Sequence, residues 1–241
     1  MTKLIINADD FGYCEAVNYG IISAHNKGVV TSTTIMANMP GCEHGIKLLK
    51  ENKTLDCGVH LTLSCYKPIL NNLKTIVDEN GYFYKGITNE KLEEMDLEEI
   101  YQEFCAQIDK VRKEIEISHL DSHHHVHTLK GLEEVIVRIS NKYDLPIRGG
   151  FEYELDNIDK VDLIDYFYSK KVSEDFFEIY NEELNKYQIV DIMCHPAYLD
   201  NFIISSTSYS IERVKEHEIL TSERVKSYLK NNFILTNYKN K

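Results

Sequence analysis

The feature that most constrains the fold is an alternation. Short apolar runs exchange with amphipathic helical stretches along the whole chain. "KLIINAD" (3–9) predicts a buried strand, and "EAVNYGIISAHNKG" (15–28) a helix with Gly28 just past its end. "VVTSTTIMAN" (29–38) is β-branched and strand-like, "EHGIKLLKENK" (43–53) helical, and "LDCGVHLTL" (55–63) a third strand. The clearest helix spans 96–116. Its apolar residues Leu97, Ile100, Tyr101, Phe104, Ile108, Val111 and Ile115 keep helical spacing, and Asp96 with Glu99 forms an expected capping box. Strands follow at 117–121, 145–148, 188–195 and 233–237, with helices at 131–143, 173–187 and 221–232. Seven strands alternating with helices indicate an α/β fold with a mainly parallel sheet, in one domain over 1–241. A (β/α) barrel competes with an open doubly wound sheet. Residues 64–95 fit neither repeat and are expected to be a lid or a surface insertion.

The polar residues fall where either fold would use them. Asp9 and Asp10 end the first strand, Asn38 closes the second, and His60 interrupts the third. Asp121 and His123 follow the fourth, Arg148 ends the fifth, and His195 ends the sixth. Barrels and open α/β sheets both build their sites at the carboxyl ends of strands. Taken singly, each residue has a structural explanation: "NADDFG" as a turn, His60 as a core histidine, Arg148 as an ion-pair partner. Together they describe the lining of one pocket.

"DSHHHVH" (121–127) concentrates four of the ten histidines into seven positions. His123 and His127 share a face whether the segment is helical or extended. No Glu follows the first histidine as a zinc-protease motif needs, and no cysteine pair lies nearby. The ligands on offer are carboxylates and imidazoles from separate strands, a set that suits catalytic Zn²⁺, Mn²⁺, Ni²⁺ or Mg²⁺. Spacing alone does not choose among His123, His125 and His127. Adjacent Asp9 and Asp10 suggest that one binds the ion while the other stays free as a base.

The formal charge of −12 argues against nucleic acid and against anionic membrane surfaces, both of which call for a basic stripe. Six cysteines without a C-x-x-C pair predict reduced thiols near the core, and no leader or lipidation motif is visible, so a cytoplasmic protein is expected.

"INADDFGYCEAVNYGI", "GVHLTL", "HLDSHHHVH", "LPIR" and "DIMCHPAYLDN" together resemble the YdjC-like carbohydrate deacetylases, the family that includes chitooligosaccharide deacetylases. The motifs run in family order from residue 5 to about 201. The resemblance implies a distorted (β/α) barrel with one divalent ion, Mg²⁺ or Zn²⁺, at the strand ends. It implies Asp10, His60 and His123 as metal ligands, Asp9 as general base and His195 as general acid. Arg148 would orient the base or contact substrate. Asn38, His125, His127, Tyr198 and Asp200 are the expected substrate contacts. The implied activity is removal of acetyl groups from N-acetylated amino sugars of the chitobiose type, with release of acetate, as in chitin degradation. The resemblance leaves a homodimer open. Two other hydrolases compete, an O-acetyl esterase and a phosphoesterase on the same metal site, as does a non-catalytic metal- or sugar-binding protein.

Overall fold

The computed structural model describes residues 1–241. Strand β1 (Lys3–Phe11) buries every residue from Leu4 to Phe11, which requires cover on both faces. Strand β7 (Ile189–Cys194) runs parallel along one edge, from Lys3 to Ala8. The other edge is divided: β8 (Ile234–Thr236) pairs with Lys3–Ile5, and β2 (Ser32–Ile35) with the stretch from Asn7 to Phe11. From β2 the sheet continues through β3 (Asp56–Leu61), β4 (Leu120–Ser122), β5 (Ile147–Arg148) and β6 (Lys160–Ile164) to β7. Seven parallel strands thus close into a barrel, and β8 seals the β1–β2 seam at its base. Closure removes the free edges that an open sheet would leave.

The helices are α1 (Glu15–Lys27), α2 (Cys42–Glu51), α3 (Asn89–Leu92), α4 (Leu97–Arg112) and α5 (Glu133–Tyr143), then α6 (Phe176–Ile179), α7 (Asn181–Leu184), α8 (Asn201–Ser206), α9 (Ile211–Thr221) and α10 (Glu223–Asn232). They pack around the barrel, with α4 against α5 and α1 against both α2 and α9. Nearly all the buried apolar side chains join one continuous cluster. No helix is long and apolar enough to cross a membrane. All six cysteines are free and five are buried.

Several local expectations change. Strand β6 was not anticipated, because "KVDLI" mixes exposed charge with two buried residues. The single helix expected over 173–187 is two one-turn helices broken at Tyr180. Gly28 does not adopt a left-handed cap (φ −125°); it is needed because a Cβ there would lie 2.2 Å from the Leu220 carbonyl oxygen. Asp96 does cap α4, accepting from the Glu98 N–H, but Glu99 does not complete a capping box. Glu99 instead accepts the N–H groups of Lys74 and Thr75 and the Thr75 hydroxyl. Glu103 likewise takes the N–H groups of Ile69 and Leu70. Two carboxylates of α4 therefore clamp the 64–95 segment to the barrel.

Candidate active site

The site begins with a break in β1. In a regular strand, neighbouring side chains point to opposite faces. Asp10 has a left-handed backbone (φ 67°), and the pairing register with β2 shifts between Ala8 and Phe11. This bulge brings two successive carboxylates, Asp9 and Asp10, to one cavity.

Asp10 Oδ1 lies 2.9 Å from His123 Nδ1 and 3.3 Å from His60 Nε2. On its far side, Arg213 Nη2 donates to Oδ2 at 2.7 Å. The other His60 nitrogen, Nδ1, meets Asp121 Oδ1 at 2.7 Å. An Nδ1–H held by a buried carboxylate is the arrangement found behind metal-bound histidines, in which the other ring nitrogen would take an ion in place of a proton. Donors bonded at ~2.0–2.2 Å to one ion sit roughly 3–3.4 Å apart, which matches this cluster. The field here also favours a cation. Burial opposes charge on His60, yet Asp121, Asp10 and Asp9 outweigh it and raise the ring to about 10. The residues therefore fit a divalent ion.

Asp9, His60 and Asp121 form a second group of converging donors. Their carboxylates already face Arg148, which is fully buried. Its Nη1 and Nη2 donate to Asp9 Oδ2 and Oδ1 at 2.6 and 2.7 Å, Nη1 lies 2.8 Å from Asp121 Oδ2, and Nε donates to Asp191 Oδ2 at 2.9 Å. The guanidinium fills the place a second ion would need. Burial tends to raise Asp9, but Arg148 overrides it and holds the carboxylate well below its usual range.

The histidine run is neither helical nor extended. His124 and His125 have φ of 55° and 52°, and this left-handed kink sends successive rings in different directions. His123 reaches Asp10, and His124 Nδ1 meets Ser64 Oγ at 2.8 Å. His125 lines the cavity with an unpartnered Nδ1. His127 does not share the His123 face as the spacing predicted. It is fully buried, accepts from Ser122 Oγ, donates to the Arg148 carbonyl at 3.1 Å, and is lowered by burial to about 3. His123→Ala is accordingly expected to weaken divalent-ion binding at least ~10²-fold by titration calorimetry, since loss of an outer partner alone costs 10–100-fold. His127→Ala is expected to leave that affinity within about threefold while lowering the melting temperature.

The cavity holds about 910 Å³. Asp9, Asp10, His60, His123 and His195 meet at its wall, Tyr66, Tyr82 and Phe83 contribute from the 64–95 segment, and Tyr168, Phe202 and Tyr209 also line it. Four of the five expected substrate contacts lie elsewhere. Asn38 donates to the carbonyls of Cys65 and Lys67, and both nitrogens of His127 are engaged in the core. The Tyr198 ring packs against His217, and Asp200 caps α8 through the Ile203 N–H. Arg148 sits behind the wall, where it can orient Asp9 and cannot reach a ligand in the cavity. The sequence reading missed Arg213 and Glu216 of α9, Tyr209, Asp191 and Tyr238. The Tyr238 hydroxyl donates to Asp191 Oδ2 at 2.6 Å. Asp191 alone carried a signal, an acid inside the apolar run "IVDIMC".

Fold and site together define a (β/α) barrel whose strand ends carry one carboxylate–imidazole cluster beside a tethered second carboxylate. The chain belongs to the YdjC-like protein family, which it matches over residues 3–231. It is 44% identical over 225 residues to a carbohydrate deacetylase of Halalkalibacterium halodurans, covering 91% of this chain and 95% of that one. It is 40% identical over 247 residues to a carbohydrate deacetylase of Clostridium beijerinckii, covering 98% and 99%. The crystal structure of a proposed cellobiose-phosphate cleavage protein from Enterococcus faecalis V583 superposes with a TM-score of 0.93 at 36% identity, covering 99% of this chain and 98% of that one.

Proposed function

We propose that this protein is a metal-dependent carbohydrate deacetylase that removes acetyl groups from N-acetylated amino sugars of the chitobiose type. The observation that carries the reading is the convergence of Asp10, His60 and His123 beside Asp9 and His195 in one cavity. Relatives named carbohydrate deacetylase support it. Asp10, His60 and His123 would hold the ion, and two nitrogen donors favour Zn²⁺ over Mg²⁺ on softness. When bound, the ion supplies Lewis acidity, polarising the acetyl carbonyl and acidifying water.

The remaining work falls to the chain. Asp9, kept ionised and fixed in orientation by Arg148 and by the Asn7 amide at 2.9 Å, takes the proton of the attacking water. His195 delivers a proton to the departing amine, without which the C–N bond does not cleave. Tyrosine faces on the cavity wall suit the apolar faces of sugar rings. Six free cysteines fit a reducing compartment, the cytoplasm.

An acid positioned for the leaving group favours an amide over an O-acetyl ester, whose alkoxide departs more readily. A phosphoesterase would call for more cations than the cavity offers, because Arg148 is behind its wall, Arg213 is engaged by Asp10, and Lys85 alone is left. The ion-loaded protein is expected to release acetate from N,N′-diacetylchitobiose or another N-acetyl sugar, and to release less acetate from O-acetylated sugars and less phosphate from sugar phosphates. Acetate from O-acetyl sugars alone would refute the N-deacetylase reading.

A further inference from the structure

Glu216 has no part in the roles above, yet it touches the residue assigned as acid. It is fully buried on α9. Its Oε2 accepts the His195 backbone N–H, and its Oε1 accepts the Tyr209 hydroxyl at 2.5 Å. Its one ion-pair partner within 4.0 Å is the His195 ring, whose Nδ1 lies 3.9 Å from Oε1. That Nδ1 is buried and has no hydrogen-bond partner.

A buried carboxyl is more stable neutral unless a cation is paired with it, and Arg213, whose field opposes this, is paired with Asp10 instead. Burial accordingly raises Glu216 to about 8. His195 is in the opposite condition, lowered to about 3 by burial and by the charge of Arg213. The groups facing this pair are Arg213 on α9 and the Tyr168 and Tyr209 rings from the loops, with Asp9 and Asp10 of β1 and His60 of β3 acting from farther away. At neutral pH the His195 ring therefore carries one proton. With that proton on Nε2, the bare Nδ1 faces Glu216.

We propose that Glu216 is the positioning residue and proton reserve of His195, its carboxylic proton passing to Nδ1 as the Nε2 proton passes to the departing amine. The inference rests on the deacetylase reading. The Glu216 Oε1–H and His195 Nε2–H bonds break, while an Nδ1–H and an amine N–H form. The C–N bond cleaves with its electron pair going to nitrogen. Asp9 holds the proton taken from water and releases it to solvent in the open cavity, and Glu216 regains one after the products leave. The closing motion is small, from 3.9 Å to hydrogen-bond distance.

The test is a pH profile of kcat for the ion-loaded wild type, E216Q and E216D on the best N-acetyl sugar. Activity of the wild type is expected to fall as pH rises through about 8, because the working form carries the carboxylic proton and loses it above that value. E216Q is expected to lower kcat by ~10²–10⁴-fold with little change in KM and to abolish this alkaline limb. E216D, which keeps an ionisable carboxyl, is expected to retain the limb at reduced activity. An E216Q variant within threefold of wild type, with the limb intact, would overturn the proposal. Infrared spectra of the protein labelled with carbon-13 glutamate give a second reading that needs neither turnover nor the glutamine variant. A protonated carboxyl band is expected at neutral pH in the wild type and absent in E216D, where the residue is unlabelled. An ionised Glu216 at neutral pH overturns the inference alone; a wild type inert on every N-acetyl sugar overturns the deacetylase reading alone.

Discussion

Replacing Arg148 with methionine is expected to lower the free energy of unfolding by about 3–5 kcal/mol at neutral pH, the usual consequence of removing one partner from a buried ion pair. The effect should lie at the upper end of that range. One guanidinium faces Asp9 from β1, Asp121 from β4 and Asp191 from β7, so its loss leaves three carboxylates buried together. Lysine does not rescue, because a single ammonium cannot reproduce the planar fork that spans three strands. The pH dependence fixes the cause. In the wild type Asp9 is held well below its ordinary value, so its contribution is present above the unfolded pKa and fades as acid protonates it. Without Arg148, burial pushes Asp9 upward instead, and Asp191, which burial already raises to about 6, rises further, so the deficit of the variant shrinks as the pH falls toward about 5. Urea midpoints at neutral and mildly acidic pH measure this. A triple variant that also carries Asp121→Asn and Asp191→Asn should regain part of the loss. A deficit under ~1 kcal/mol, or one constant with pH, would show that the guanidinium does not hold these strands together.

The barrel was legible because its strands are buried on both faces and read as short apolar runs, each followed by a helical period. The candidate site was legible for a related reason: more polar residues stand at the ends of such runs than turns and caps account for. Asp9, Asp10, His60, His123 and His195 all stood out in this way, and all reach the same cavity. Three kinds of information were not in the pattern. The first is backbone hand, since left-handed His124 and His125 send rings of similar spacing to opposite fates, one against Asp10 and one into the core. The second is depth. Arg148 stands at a strand end in the sequence, yet only the closed barrel shows that it lies behind the wall, where it can orient a base and touch nothing in the cavity. The third is the approach of helices. Arg213 and Glu216 are three apart on α9 and reach Asp10 and His195 from outside the barrel, but "IERVKEHEILT" looks like an ordinary surface helix until its packing is known. Asn38 and Asp200 mislead for the converse reason. Polar residues next to strand ends also tie down loops and cap helices, as these two do.

Asp9→Asn separates catalysis from ion binding, and its expected effect is the largest on activity. The substitution keeps the size of the side chain and leaves Asp10, His60 and His123 untouched, so divalent-ion affinity should remain within about threefold of wild type. Structure should survive as well. The barrel interior loses one of three carboxylates around a single Arg148, and the amide oxygen that replaces it can still accept one guanidinium N–H. The amide has no basic oxygen, so the proton of the attacking water has no acceptor at this point, and kcat should fall by ~10²–10⁴-fold with KM nearly unchanged. Asp10→Asn provides the contrast. It removes the only carboxylate of the metal cluster, and activity should disappear together with ion binding. The two adjacent aspartates would then fail in different ways, one silent in calorimetry and the other not. Were Asp9→Asn to lose the ion as well, the base and ligand roles would not be divided between them. Full activity in Asp9→Asn would move the base to another residue. A wild type that binds the ion and never turns over would leave these histidines as a binding site, with Arg148 holding Asp9 in place for the sake of the fold alone.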